Sequence, residues 1–251
     1  MNLLIPMAGE GARFKAEGYH LPKPCIPIDG IPMVIQATKS LPKAQKHLFI
    51  CRDFHVHEGV TSTISAYYPQ AEYIILDALT EGQAATCLKA QSQIDTDEPL
   101  MIGACDNAMI WDKEVFEALT QISDCVVWTF RNNASVLEHP QQYGWVKVKD
   151  DRVVETSIKK AISSSPKQDH AIVGAFWFKK GSEFVRASQD MIEANDRING
   201  EFYVDKCIDY FLKEGKIVRV FEVAYYIGWG TPADLKTWEY WRSFFKGRVL
   251  E

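Results

Sequence analysis

Gly9, Gly11 and Arg13 stand directly after the apolar run NLLIP, and Lys23 follows between two prolines in LPKPCIPIDGIPM. Paired glycines let backbone N–H groups turn toward an anion and form a nest for it. Arg13 adds a permanently charged fork that matches phosphate oxygens, and the flanking prolines hold the Lys23 ammonium on a stiff loop. Further on, Asp106 follows the apolar run LMIGAC. A carboxylate at the carboxyl end of a buried strand suits a magnesium ion shared with phosphates, although the same residue could cap a following helix. Glu201 and Asp205 are four apart in GEFYVD, on one helix face if the helix starts early. They fit contacts to a ligand's hydroxyl or amino groups, or a capping carboxylate beside a solvated face. Two common phosphate sites are disfavoured. A dinucleotide fingerprint needs glycine where Phe14 stands, and a Walker loop needs a GK[ST] that does not follow.

The elements that must position these groups alternate along the chain. The runs NLLIP, HLFIC, EYIIL, PLMIGA and DCVVWTF predict buried strands, and residues 32–41, 57–67, 82–93 and 113–122 predict helices. This order implies a mainly parallel sheet covered on both faces. Beyond residue 140 the pattern changes. YGWVKVKDDRVVETSIKK predicts a hairpin turning at Asp150 and Asp151, and HAIVGAFWFKK predicts another strand. Helices near 181–197 and 203–214, strands near 216–227 and a last helix near 232–246 complete the chain. The expected fold class is α/β, a Rossmann-like α/β/α sandwich with a mainly parallel mixed sheet and a smaller α+β portion. One domain, 1–251, is expected, with a nucleotide-type half at 1–138 and an appended half with the closing helix at 139–251.

Composition narrows the function. The chain is 47% hydrophobic and 24% charged, with a formal net charge of -5, which disfavours a nucleic-acid partner while leaving room for a local basic pocket. The six cysteines show no CxxC or zinc spacing and read as buried small hydrophobes. The first residues lack a basic region before a long apolar run, and no stretch approaches a membrane span, so a reduced, cytoplasmic protein is expected. His55, His57 and Glu58 lack a third metal ligand nearby. The aromatic cluster of Trp229, Trp238, Tyr240, Trp241 and Phe244 reads as packing or as the interface of a homodimer rather than a cofactor site.

Taken in order, the segments AGEGARF, PKP…PM, TEGQAATCL, GACDN, HPQQYGWVKV with SIKKA, GEFYVD and WGTPADL resemble the sugar-phosphate nucleotidylyltransferases over nearly the whole chain. That resemblance implies an enzyme joining a nucleoside triphosphate to a sugar 1-phosphate, or to a non-sugar phosphate monoester of the phosphocholine or phosphoglutamine kind, with release of pyrophosphate, as in capsule or surface-polysaccharide precursor synthesis. It implies nucleotide contacts from Met7, Ala8, Gly9, Glu10, Gly11, Ala12, Arg13, Lys23, Glu81, Gly82, Gln83 and Asp106, with Arg13 and Lys23 catalytic and Asp106 holding Mg2+. It implies acceptor contacts from Tyr143, Gly144, Lys159, Lys160, Glu201 and Asp205. Ala8 makes the loop A-G-x-G, which resembles several cytidylyltransferases and favours CTP, with GTP or UTP next. Two departures stand out. The resemblance places a second metal-binding aspartate where this chain has Gly228, leaving Asp205 and Asp234 as the nearest substitutes. Its E-K-P element reads KKA, so either Lys159 or Lys160 is the acceptor lysine, with Lys160 favoured by alignment. Two other classes remain. A glycosyltransferase would carry D-x-D where this chain has CDN, and a catalytically inactive regulatory subunit would account for Gly228.

Overall fold

The computed structural model describes residues 1–247. Its strands are β1 (Asn2–Pro6), β2 (Pro27–Ile28), β3 (Ile31–Pro32), β4 (Lys46–Arg52), β5 (Glu72–Leu76), β6 (Leu100–Ile102) and β7 (Asn107–Ile110). They continue as β8 (Cys125–Phe130), β9 (Gly144–Lys149), β10 (Arg152–Ile158), β11 (His170–Phe178), β12 (Val218–Glu222) and β13 (Tyr225–Gly228). Nine strands form one sheet. Its main path runs β10-β9-β11-β6-β1-β4-β5, and β8 joins β11 to β12. Strands β5, β4, β1 and β6 are parallel, whereas β11 runs antiparallel to β6, β8 and β9. Both halves of the chain thus contribute to one α/β/α sandwich with a Rossmann-like parallel portion.

Alternation along the strands builds two cores. In β1, Leu4 faces one side, while Leu3 and Ile5 face the other; in β4, Leu48 and Ile50 oppose Phe49 and Cys51. Helices Gln83–Cys87, Gly181–Glu193 and Val204–Lys213 cover the first face. Helices Met33–Lys39, Val60–Ser65 and Lys113–Gln121 cover the second, where Trp111, Phe116, Trp128 and Phe221 pack edge-to-face or tilted. Asp112 caps Lys113–Gln121 by accepting from the backbone N–H groups of Glu114 and Val115. A third, smaller core joins Phe14, Ile26, Ile28, Met33, Trp229 and Leu235. It clamps the glycine loop, the proline turn and the last helix together.

Three expectations are revised. The helix over 57–67 is two helices, Asp53–His57 and Val60–Ser65, separated at Gly59 with φ 77°. The helix over 82–93 divides at the 3-10 turn Leu88–Ala90 into Gln83–Cys87 and Gln91–Ile94. The strands near 216–227 serve two sheets: β12 extends the main sheet beside β8, whereas β13 leaves it to pair with β7, a strand absent from the sequence reading. The hairpin turn at Asp150 and Asp151 is as expected, with φ 49° and 59°, the left-handed pair that tight hairpins require.

Strand β11 opens the site. It pairs with β9 at 170–171 and with β6 at 176–178, and its register shifts between Ile172 and Phe176 around Gly174, φ 81°. Into this interruption comes buried Asn107, whose side-chain amide donates to the Val173 carbonyl at 2.8 Å. A second link joins the two halves at Gly82. The Phe202 N–H donates to Glu81 at 2.8 Å, and the Ala84 N–H donates to Phe202 at 2.9 Å. A Cβ on Gly82 would stand 2.6 Å from Phe202 backbone atoms, and φ is +115°. Gly82→Ala is therefore expected to cost about 2 kcal/mol or more, from strained backbone and overpacking together. Urea unfolding checks this; an unchanged midpoint would contradict the packing described.

Candidate functional site

A cleft of about 1060 Å³ opens where the glycine loop, the segment after β6, the β9–β10 hairpin, the 201–205 segment and the last helix converge. Its chemistry begins with an ion pair. Lys23 Nζ lies 2.5 Å from Asp106 Oδ2, and both side chains are mostly buried. Burial works to lower the Lys23 ammonium pKa, but the charge of Asp106 and its hydrogen bond outweigh this and hold it above the ordinary lysine value. Local sequence explains the placement. Pro22 and Pro24 fix Lys23 in the 3-10 turn Lys23–Cys25. Gly11, in left-handed conformation at φ 63°, lets that turn approach: a Cβ there would stand 3.1 Å from Lys23 Cβ. Asp106 is fixed from the other side, because its carbonyl accepts from the Trp229 N–H at 2.7 Å. A Cβ on Gly230 would lie 3.3 Å from its Oδ2.

Around this pair the structure distributes the other sequence candidates. Arg13 lines the cleft, is exposed, and makes no ion pair among the described residues. Met7 and Ala8 are buried, while Gly9, Glu10 and Ala12 are exposed and do not line the cleft. No protein atom would meet a Cβ on Gly9. Gln83 lines the cleft, whereas Gly82 packs on Phe202 and Glu81 is paired with Arg197 at 3.0 Å. Glu81 and Gly82 therefore serve the link between the two halves, not the cleft wall. Asp106 is followed by β7 rather than a helix, which removes the capping alternative.

Tyr143, Gly144, Lys159, Glu201 and Asp205 line the same cleft. Lys159, at φ 59°, donates to the Gln142 carbonyl at 2.8 Å and lies 5.2 Å from the centre of the Tyr203 ring. Lys160, the lysine favoured by alignment, does not line the cleft; this corrects the sequence preference, because the turn after β10 presents Lys159 instead. Glu201 and Asp205 do not share a helix face either, since the helix begins at Val204. Burial raises the Tyr143 hydroxyl pKa, and burial followed by the hydrogen bond with Glu201 pushes that of Tyr203 up to about 12.

Sequence reasoning missed much of the wall. Trp238 packs against the third core, as the sequence reading expects, and also lines the cleft, as do Trp241, Tyr203 and Tyr226. Their signal lay in GEFYVD and WGTPADL themselves, whose aromatic neighbours went unused. The Tyr226 ring stacks on Phe130, centroids 4.2 Å apart. Its hydroxyl pKa is raised by burial, with Tyr143, Asp106 and Asp234 adding to the effect. That hydroxyl would stand 3.0 Å from a Cβ on Gly228. Gly228 is not at positive φ, so what restricts a side chain there is Tyr226 rather than the backbone. His55 is buried, its Nδ1 accepting from the Arg52 N–H, and burial with nearby Lys15 and Arg52 lowers its pKa to about 4. That is a structural histidine.

A divalent ion is testable against this donor set. Among the described residues no three His, Cys, Asp or Glu side chains group as a metal cage. Asp234, one substitute candidate, accepts from Thr231 N–H and Oγ1 at 3.0 and 2.6 Å and so caps the last helix. Asp205, the other candidate, feels the charge of Lys159 and has no acidic, His or Cys partners that would group with it as a metal cage among the described residues. One carboxylate, Asp106, in a cleft also lined by Lys23 and Arg13 fits magnesium, which commonly takes one or two carboxylates and completes its shell with phosphates and water.

No family model matches the chain. Over 230 residues, 89% of its length, the chain is 23% identical to the bifunctional protein GlmU of Bacillus mycoides (strain KBAB4). The match covers 47% of that protein, so the chain spans about half the length of the curated relative it matches. A nucleoside-diphosphate-sugar pyrophosphorylase from Vibrio cholerae RC9 superposes with TM-score 0.77 at 19% identity, covering 94% of this chain and 98% of that one. A glucose-1-phosphate thymidylyltransferase structure from Bacillus anthracis gives 0.75 at 18%, covering 94% and 93%. The inositol-1-phosphate CTP transferase of T. maritima gives 0.71 at 14%, covering 95% and 93%. At these identities the likeness is one of fold: the chain shares the fold of these three structures.

Arg13 generates a prediction that needs no assumed reaction. Losing one charge-assisted contact costs about 1.5–3 kcal/mol. Arg13→Ala should weaken binding of inorganic tripolyphosphate by about tenfold or more, read by calorimetry, with the melting temperature unchanged because the side chain is exposed. Undiminished binding would remove Arg13 from the anion site.

Proposed function

We propose that this chain, carrying the nucleotidylyltransferase fold, joins a nucleoside triphosphate to a small phosphate monoester and releases pyrophosphate. The observation that carries the reading is one cleft lined by the cations Arg13, Lys23 and Lys159, with Lys23 paired to Asp106. In this reading residues 1–138 supply most of the nucleotide end and 139–251 most of the acceptor end. Among the described residues no helix is long and apolar enough to cross a membrane.

The reaction needs positioning and charge neutralisation more than proton chemistry. A phosphate monoester is largely dianionic at neutral pH, so its oxygen attacks the α-phosphorus without a general base, in line with departing pyrophosphate. Lys159 holds the acceptor phosphate. Lys23, already charged and oriented by Asp106, faces the oxygens that meet at the α-phosphorus. Arg13 takes charge that develops on the leaving pyrophosphate. Magnesium held by Asp106 would supply further neutralisation of phosphate charge. CTP is the favoured nucleotide, on the A-G-x-G loop at Ala8; the T. maritima neighbour, an inositol-1-phosphate CTP transferase, is compatible.

The test is a screen of the four nucleoside triphosphates against phosphorylated metabolites, read by pyrophosphate release. The expected result is release with CTP and at least one phosphate monoester, abolished by chelator. No release from any combination would overturn the reading. With a working acceptor, Asp106→Asn should lower kcat/KM by about a hundredfold, as loss of an electrostatic transition-state contact does. Lys159→Met should raise the acceptor KM by about tenfold or more while the nucleotide KM stays within about twofold, because that charge faces one substrate. Lys160→Met should behave as the unmodified enzyme. Equal effects of the two lysine variants would contradict the assignment.

A further inference from the structure

Strand β13 brings to the cleft a hydroxyl that the fold does not use. In its pairing with β7, Tyr226 lies opposite Met109 and Gly228 opposite Asn107, so the two β13 residues share one face of the strand. Asp106 directly precedes β7, and its carbonyl accepts from the N–H of Trp229, the residue after Gly228. The Tyr226 ring is held by Phe130, with an interplanar angle of 8°. From there it lies along the strand: a Cβ on Gly228 would stand 3.5 Å from its Cζ and 3.0 Å from its hydroxyl. Only that hydroxyl contact is tight. The oxygen rests where a side chain at residue 228 would crowd it.

Half-buried Tyr226 lines the cleft, yet among the described residues its hydroxyl makes no hydrogen bond. A tyrosine hydroxyl withdrawn from water ordinarily has a partner. Tyr143, Asp106 and Asp234 are the groups whose fields reach it, and each is engaged elsewhere. Tyr143 donates to Ser135 Oγ at 3.3 Å, Asp106 Oδ2 holds Lys23, and Asp234 Oδ2 accepts from Thr231. Burial and these neighbours keep the Tyr226 hydroxyl protonated, so it has a hydrogen to donate. In a cleft whose cations are Arg13, Lys23 and Lys159, the acceptor that suits it is a phosphate oxygen. Phe130 also packs edge-on against Tyr143, an expected acceptor contact, with centroids 5.6 Å apart. That shared ring ties Tyr226 to the acceptor's contacts.

We infer that the Tyr226 hydroxyl is a substrate contact, donating a hydrogen bond to a phosphate oxygen of the acceptor, and that Gly228 keeps its place clear. The inference rests on the nucleotidylyl-transfer reading and adds a neutral donor to its cations. The covalent step is unchanged: the acceptor oxygen bonds to the α-phosphorus, pyrophosphate leaves, and the hydroxyl keeps its hydrogen.

Two variants address this one atom. Tyr226→Phe keeps the ring on Phe130 and removes only the hydroxyl. Gly228→Ala keeps the hydroxyl but crowds it, at a backbone without positive φ. Kinetics use the acceptor found by the pyrophosphate-release screen, and calorimetry measures binding of inorganic phosphate. Tyr226→Phe should lower kcat/KM for the acceptor, and weaken phosphate binding, by about tenfold, as a lost hydrogen bond to a charged group does. The nucleotide KM should not change, and the melting temperature of the ligand-free protein should be no lower. Gly228→Ala should reduce the same kcat/KM alone but cost nothing further beside Tyr226→Phe, because the crowded atom is then gone. Additive losses would overturn the role of Gly228. Unchanged acceptor kinetics and phosphate binding in Tyr226→Phe would overturn the inference and leave nucleotidylyl transfer standing. A defect confined to the nucleotide KM, or a lower melting temperature alone, would do the same. No release from any pair of substrates would overturn the transfer reading, and phosphate binding then decides separately: weaker binding by Tyr226→Phe keeps the hydroxyl as a phosphate contact, and equal binding removes it.

Discussion

The contact between Lys23 and Asp106 joins parts of the chain 83 residues apart, and the site depends on it. Each partner is held by its own loop. Lys23 is fixed by two prolines and the close approach of Gly11, Asp106 by the Trp229 N–H and the lack of a side chain on Gly230. The small core of Phe14, Ile26, Ile28, Met33, Trp229 and Leu235 lies among the same loops and keeps them from drifting apart. A mostly buried ammonium stays charged there because its counter-ion is fixed beside it. An anionic ligand in the cleft would thus meet a pre-oriented cation rather than a mobile one, which lowers the entropic cost of binding.

The two ends of the cleft are tuned differently by the same device, close approach at glycine. Gly11 and Gly230 admit the Lys23–Asp106 pair; Gly82 lets the first half of the chain bind the Phe202 backbone; Gly144 makes room for Asp205. Between them, the interruption of β11 around Gly174 separates β6 from β9 and receives Asn107. The parallel portion ends in Asp106 and the antiparallel portion opens with Gly144, so the cleft lies where the sheet changes character. This follows the general tendency of α/β sheets to bind ligands at strand ends where topology switches.

Much of this was legible in sequence because it rests on local chemistry. The strands of the two cores follow from period-two apolar runs, and the Asp150–Asp151 turn from residues that tolerate left-handed backbone. Gly11, Arg13, Lys23 and Asp106 stood out by type and spacing. What sequence did not reveal depends on contacts between distant segments. The exchange of β13 from the main sheet to β7 is a tertiary pairing, and it brings Tyr226 and Gly228 to the cleft. Alignment favoured Lys160, yet the backbone turn at Lys159 decides which lysine faces inward. Trp238 and Trp241 looked like packing because an aromatic helix face says nothing of what lies opposite.

The central claim is that Lys23 and Asp106 act as one unit in nucleotidylyl transfer, and a double-mutant cycle measures it directly. Lys23→Met, Asp106→Asn and the double variant are compared in kcat/KM for pyrophosphate release at saturating magnesium. Strong non-additivity is expected: the double variant is no worse than the poorer single, with a coupling of about 1.5 kcal/mol or more, as contacting charged groups show. Losses that simply add would contradict it, since the two residues would then serve the reaction independently.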